Sequence, residues 1–198
     1  MKQFNTPDER ENDLSATARI VVLNGVSSAG KSSIARALQG IAADAFLHVQ
    51  MDTFLWMLPP AYQGNCAGFA EETHAQREKP TPVANSAMVV QQTLRGMRHA
   101  IAALAGQGLS LVVDDVLDET AALEYVRLLA AFKFYMVGVF APLEVLETRE
   151  QGRGDRVIGR ARSQFDLVHR NIHYDLKIDT STASPMECAV LIKQKWKL

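Results

Sequence analysis

The chain has 198 residues, 47% of them hydrophobic, and a formal net charge of −1, with an isoelectric point near 6.5. That is enough apolar material for one full core and too little basic excess to hold a nucleic acid by its phosphates. No apolar run approaches the roughly 20 residues of a membrane-spanning helix, and Cys66 and Cys188 stand apart without metal-ligand spacing. A membrane span and a cysteine-held metal are therefore excluded. A single disulfide is open to the two cysteines, but reduced thiols in a cytoplasm are the expected state.

Residues 1–18 are polar and carry Asp8, Glu9, Glu11 and Asp13 without an apolar stretch, so they read as a flexible leader and not as a targeting peptide. One domain over 19–198 follows. An apolar strand over 20–23 runs into Gly25-Val26-Ser27-Ser28-Ala29-Gly30-Lys31-Ser32, which fills every fixed position of the phosphate-binding pattern G-x-x-x-x-G-K-[ST]. A helix over 31–42 leads out. This order matters because the chemistry needs it. The loop's N–H groups turn inward on phosphate oxygens, and the helix start adds its positive dipole end. Gly25 to Ser32, with Ser33, are the expected nucleotide-phosphate contacts. Lys31 meets the β- and γ-phosphates, and Ser32 gives its hydroxyl to Mg2+. An ordinary Gly/Ser turn explains the glycines but not a Lys-Ser pair at the helix start.

A second strand over 46–49 leads to Asp52. After a parallel strand that position faces the phosphate loop, where a carboxylate can take the proton of an acceptor hydroxyl. The alternative is a helix cap, a common use of Asp, and the two can coexist. The stretch 54–82 breaks the strand–helix rhythm. It carries Phe54, Trp56, Tyr62 and Phe69 and then a polar run, which reads as an acceptor-side insert with an aromatic wall. The helix over 83–105 is the most periodic: Val90, Leu94, Met97, Ile101 and Leu104 share one face, and Gln91, Gln92, Arg95 and Arg98 take the other.

The third strand, over 109–113, ends in Asp114 and Asp115. An acid in that place is the usual partner of a phosphate loop and holds Mg2+ directly or through water. Asp114 is the expected metal residue, and Asp115 is free to face the acceptor. A helix over 119–131, a strand over 134–140 and a helix over 143–150 follow. Arg149, Arg153 and Arg156 are then spaced by Gly152 and Gly154, as in a mobile lid over 149–163. Arg153 and Arg156 are the expected cations on the transferring phosphoryl group. Arg160 and Arg162 begin a helix over 158–168, where a solvated basic face is the plain alternative. His48, His169 and His173 have no metal spacing, and Tyr174-Asp175 has no role that the residues themselves argue. A strand over 176–178 and a helix over 185–195 close the chain. Unbroken apolar strands alternating with helices imply a parallel sheet covered on both faces.

On Leu23-Asn24-Gly25, Ser27-Ser28-Ala29-Gly30-Lys31-Ser32, Asp52 with Met57-Leu58-Pro59, Val113-Asp114-Asp115-Val116, Arg149-Glu150, Arg153-Gly154-Asp155-Arg156, Val168-His169 and Tyr174-Asp175, the chain resembles the chloramphenicol phosphotransferase-like proteins. These are small kinases of the P-loop superfamily. The resemblance runs from about Arg19 to the C-terminus. It implies an α/β three-layer P-loop NTPase fold, a parallel sheet flanked by helices, kinase-type with a lid. It also implies ATP with Mg2+, a base at Asp52, and phosphorylation of a hydroxyl on chloramphenicol. Phe54 and Trp56 make the turn after Asp52 bulkier than that antibiotic suggests, and residues 62–82 are the least family-like part.

The leading reading is therefore an ATP-dependent O-phosphotransferase acting on a small hydroxyl compound, with Asp52, Phe54, Trp56 and Asp115 on the acceptor side. A kinase of a nucleoside, sugar or other metabolite is the alternative. A nucleotide-binding module without catalysis is a third reading. For it the best guanine-reading candidate, Leu176-Lys177-Ile178-Asp179, lacks the usual first residue. No nucleic acid or membrane partner is expected, and a homo-oligomer is compatible with the composition.

Overall fold

The computed structural model describes residues 18–63, 86–153 and 158–198. Five strands form one sheet: β1 (Arg19–Asn24), β2 (Phe46–Gln50), β3 (Ser110–Asp115), β4 (Lys133–Phe140) and β5 (Leu176–Asp179). Their spatial order is β2-β3-β1-β4-β5, and every pairing is parallel. All five strands fall where their apolar runs put them. Eight helices are described: α1 (Lys31–Ile41), α2 (Met51–Trp56), α3 (Pro60–Gln63), α4 (Ser86–Gly106), α5 (Glu119–Leu128), α6 (Leu143–Arg153), α7 (Arg160–Phe165) and α8 (Pro185–Trp196).

Alternate residues of the central strands feed two cores, as a sheet covered on both faces requires. Val21, Leu23, Val112, Val137 and Val139 face one layer with Ile34 and Leu38 of α1 and Ile192 of α8. Ile20, Val22, Leu111, Val113 and Met136 face the other, against Met97 and Ile101 of α4 and Tyr125 of α5. The apolar face read from the period of α4 is the face that packs. Val90 sits apart from it, joined to Leu55 of α2 in a small third cluster. That contact draws the segment after β2 onto α4 and builds one wall of the site.

Two helices begin with side-chain caps. Asp118 accepts from the Ala121 N–H at the start of α5, and Ser184 and Glu187 form a reciprocal capping box at α8. The helix α4 stops at Gly106, and Gly108 at φ 79° turns the chain toward β3. The stretch that reads as an acceptor-side insert with an aromatic wall begins in helix. Residues Met51–Trp56 are helical, and a second short helix follows at Pro60–Gln63. The rest of 54–82 lies outside the described residues, as does the leader up to residue 17.

Among the described residues no helix is long and apolar enough to cross a membrane. Cys188 is a buried free thiol, and Cys66 lies outside the described residues. β1 lies between β3 and β4, so the chain leaves it toward opposite sides of the sheet. In such sheets the crevice beyond the strand ends at this switch point is where ligands bind.

Candidate active site

The loop after β1 is shaped by two glycines. A Cβ on Gly25 would meet the Val139 carbonyl oxygen at 2.4 Å, so only glycine lets the loop lie against β4. Gly30 starts α1 at φ 94°, a left-handed conformation, and Ser28 has φ 65°. No side chain caps the start of α1. The Ser27 and Ser28 hydroxyls are buried and have no hydrogen-bond partner. Lys31 is 6% exposed. Its ammonium donates to the carbonyls of Gly25 at 2.8 Å and Val26 at 3.1 Å, and stands 3.7 Å from Asp114 Oδ1. The Ser32 hydroxyl donates to Asp114 Oδ2.

This donor set fits a nucleoside triphosphate with Mg2+. An uncapped helix start and orphaned hydroxyls suit phosphate oxygens. The Ser32–Asp114 oxygen pair suits a hard cation that takes its remaining oxygens from phosphate and water. No group of three His, Cys, Asp or Glu side chains able to hold a metal by itself occurs among the described residues. His48 lies beside this pair, its Nε2 4.0 Å from Asp114 Oδ2 and without a hydrogen-bond partner. Burial holds its pKa below the ordinary value, against the pull of Asp114. Its spacing in the sequence carries no hint of this place. Only the parallel register, with His48 beside Val112 and Gln50 beside Asp114, puts it there.

A cleft of about 560 Å³ opens over the loop, lined by Lys31, Ser32, Asp114, Asp52, Met51, Leu55 and others from α4, α5 and α7. Asp52 lies in the first turn of α2, and the cap position belongs to Gln50. The capping alternative for Asp52 therefore falls away. Three acceptor-side expectations need correction. Phe54 packs partly buried against the core under α4 and α5, and Trp56 is 67% exposed. Neither lines the cleft. The reason is the helix: its 100° step per residue turns Met51, Asp52 and Leu55 toward the cleft and Phe54 away. Asp115 is the third. Next to Asp114 on a strand, its side chain points through the opposite face. It is 2% exposed, accepts from Tyr125 Oη at 3.0 Å and from its neighbour Val116 N–H at 2.7 Å, and lies outside the cleft lining. Burial raises its pKa to about 6.

The lid arginines divide. Arg156 lies outside the described residues, as does the side chain of Arg153, whose backbone ends α6. Arg149 is tied down, donating to Thr180 Oγ1 at 3.0 Å and the Thr180 carbonyl at 2.7 Å. Thr180 in turn donates to the Ala29 carbonyl at 2.9 Å, so α6 is fastened to the phosphate loop. Arg162 pairs with Glu147 at 2.7 Å on the surface. Arg160 lines the cleft, with its Nε buried and unpartnered.

Several residues of the site were missed in the sequence. Gln164 of α7 accepts from the Ser27 N–H at 2.9 Å, so α7 reaches into the phosphate loop itself. Glu150 accepts from the Gly159 and Ala161 N–H groups at 2.7 and 2.9 Å, tying α6 to the start of α7. Asn24 donates to the Val168 carbonyl and to Tyr174 Oη and accepts from the Leu117 N–H. Tyr174 also meets His169 Nδ1 at 2.8 Å, and Asp175 accepts from the Met136 N–H at 2.7 Å. The Tyr174-Asp175 pair thus holds the sheet end under the loop. On the far wall, Arg95 and Arg98 of α4 and Glu124 and Arg127 of α5 line the cleft.

Set beside known proteins, this geometry has a family. A description of chloramphenicol phosphotransferase-like proteins matches residues 18–197. The chain belongs to that family. The "Putative O-phosphotransferase" of Mycobacterium tuberculosis is 31% identical over 180 residues, covering 85% of this chain and 77% of the relative. Among solved structures, a sugar kinase from a Janibacter species superposes with a TM-score of 0.64 at 20% identity, over 89% of this chain and 93% of that one. The APS kinase of Mycobacterium tuberculosis, in complex with AMPPNP and APS, superposes with a TM-score of 0.61 at 19% identity, over 92% and 99%. The fold is that of the P-loop kinases. Family and fold together make this chloramphenicol phosphotransferase-like protein a phosphotransferase of the small-molecule kinase type.

Proposed function

We propose that this family member moves the γ-phosphoryl group of Mg-ATP to a hydroxyl of a small molecule, in the cytoplasm. The observation that carries the reading is that one cleft holds Asp52, Lys31, Ser32 and Asp114 together. Bound Mg-ATP supplies the phosphoryl group and an ion to spread its charge. The amides of Gly30, Lys31 and Ser32 at the uncapped start of α1 would cradle the phosphates, and Lys31 would leave its carbonyl partners for the β- and γ-oxygens. Ser32 and Asp114 hold the ion. Asp52 accepts the acceptor's hydroxyl proton as the new P–O bond forms and the bond to the departing ADP breaks. Arg160 reaches the phosphoryl charge from α7, and Arg153 and Arg156 are the further cations expected on it. Chloramphenicol, implied by the family, is the first acceptor to try. A metabolite kinase is the second reading, and the three arginines of the far wall favour it.

The test is Asp52→Asn with Mg-ATP and an acceptor panel, read by ADP release and product mass. Turnover should fall about 10²- to 10⁴-fold, the usual worth of a positioned base, with the nucleotide titration unchanged. Wild-type turnover in the variant would remove Asp52 from the mechanism.

A further inference from the structure

The cleft has two charged ends, and the phosphate chemistry accounts for one. Lys31, Ser32 and Asp114 belong to the loop end, and Arg160 comes over it from α7. The other end is built by α4 and α5 and carries three more guanidinium groups, Arg95, Arg98 and Arg127. Two carboxylates stand with them. Asp118 caps α5 through the Ala121 N–H. Glu124 binds Arg98 at 2.5 Å and Arg95 at 3.2 Å, through Nε in both cases. Arg98 also lies close enough to buried Asp115 to steady its charge. It is thus largely committed within the wall, its side chain only 12% exposed. Arg95 is 70% exposed in its side chain and keeps further N–H donors beyond its bond to Glu124. Arg127 lies one turn past Glu124 and makes no ion pair among the described residues. Met51, Leu55 and Leu94 add apolar side chains to the same lining.

We infer that the acceptor is an anionic hydroxy compound, with a carboxylate or phosphate group gripped by Arg95 and Arg127 while its hydroxyl lies at Asp52. This rests on the phosphotransferase reading and narrows it to a substrate class. Arg95 and Arg127 bring to the cleft lining two guanidinium groups with donors beyond the one that Glu124 takes, more positive charge than a neutral acceptor can use. A carboxylate or phosphate meets them with charge-assisted, fork-shaped bonds, and its carbon skeleton lies against the apolar side chains of the lining. Glu124 serves as the bracket: by taking one edge of Arg95 it presents the rest of that guanidinium in a fixed direction.

The test uses the whole chain with its nucleotide site filled by Mg-AMPPNP. Hydroxy acids of four to seven carbons and sugar phosphates are titrated calorimetrically, each beside its neutral alcohol, with chloramphenicol as a further neutral probe. At least one anionic member should bind about tenfold or more tighter than its neutral counterpart, in line with a bond between ionised groups. Carboxylate and phosphate arms tell the two sources of charge apart. The preference should weaken as salt rises, and Arg95→Gln and Arg127→Gln should each remove most of it. Both side chains are exposed, and AMPPNP affinity in the same titration reports whether the fold survives. Equal binding of charged and neutral members, or a preference that persists in both variants, overturns the inference. Turnover of chloramphenicol or another neutral alcohol with no anionic preference would overturn it as well, yet leave phosphoryl transfer standing. Loss of AMPPNP binding in the wild-type protein would instead strike the phosphotransferase reading itself.

Discussion

The two sides of the cleft are made in different ways. The nucleotide side is nearly continuous in sequence: one strand, six loop residues and one helix start, with a single distant carboxylate at Asp114. Its working groups are largely backbone amides, whose direction the loop conformation fixes. The acceptor side is assembled from α2, α4 and α5, segments that are far apart in the chain and meet only through packing. Its working groups are side chains, whose direction depends on helix phase. A motif can encode the first side. The second exists only after folding.

The most damaging single change should fall on the continuous side. Gly25→Ala puts a Cβ within 2.4 Å of the Val139 carbonyl, and neither backbone can absorb that without moving. A displacement approaching 1 Å in a preorganised cradle costs about a hundredfold. Mg-ATP affinity should therefore fall by about that factor, while acceptor-side variants leave it alone. An alanine variant that titrates nucleotide like the wild type would show that the loop's closeness to β4 is incidental.

The matching probe on the assembled side is Leu55→Ala. Leu55 is 4% exposed and shares its cluster with Val90, the seam that draws α2 onto α4. Truncation should cost about 2 kcal/mol, near the low end for a buried leucine because the cluster is small. It should also raise the acceptor KM while the nucleotide KM stays put, since Asp52 rides on the loosened helix. Equal rises in both constants would mean that the two sides are not separable.

This contrast explains how far the residues alone could be read. The strands β1, β3 and β4 were legible from their apolar runs, β2 and β5 from apolar residues broken by His48 and Lys177, and the face of α4 because its period repeats over five residues. Asp114 was legible because an acid ending a strand beside a phosphate loop has few other uses. Phe54 and Trp56 misled because Met51–Trp56 contains no obvious helix signal: the cap is Gln50, without a side-chain bond, and aromatic residues suggested a wall. Asp115 misled because adjacent strand residues point to opposite faces, so two acids in a row cannot both serve one cleft. Gln164 and the Arg95–Glu124–Arg98 group were invisible for a deeper reason. Their partners lie 137 and 26 positions away, and nothing local marks them.

The smallest expected effect tests Asp115, the residue that the sheet turned away from the cleft. Burial lifts its pKa from 3.8 to about 6, partly offset by the bonds from Val116 and Tyr125 and by Arg98. The folded protein therefore holds a proton that the unfolded chain releases between those values. This contribution to stability is complete below about pH 4 and is lost as pH rises through 6. His169 works in the opposite sense. Burial, with Lys31 and Lys177 nearby, lowers its pKa from 6.5 to about 4, so its contribution is present above 6.5 and lost as pH falls through 4. The two slopes overlap and flatten the wild-type profile, so the difference from Asp115→Asn is the quantity to measure. Denaturant unfolding at several pH values between 4 and 7 should show the wild type gaining on the variant as pH falls, by on the order of 1–2 kcal/mol across the window. Parallel profiles would mean that the bonds from Val116 and Tyr125 and the charge of Arg98 cancel the effect of burial and return the Asp115 carboxylate to its solution acidity.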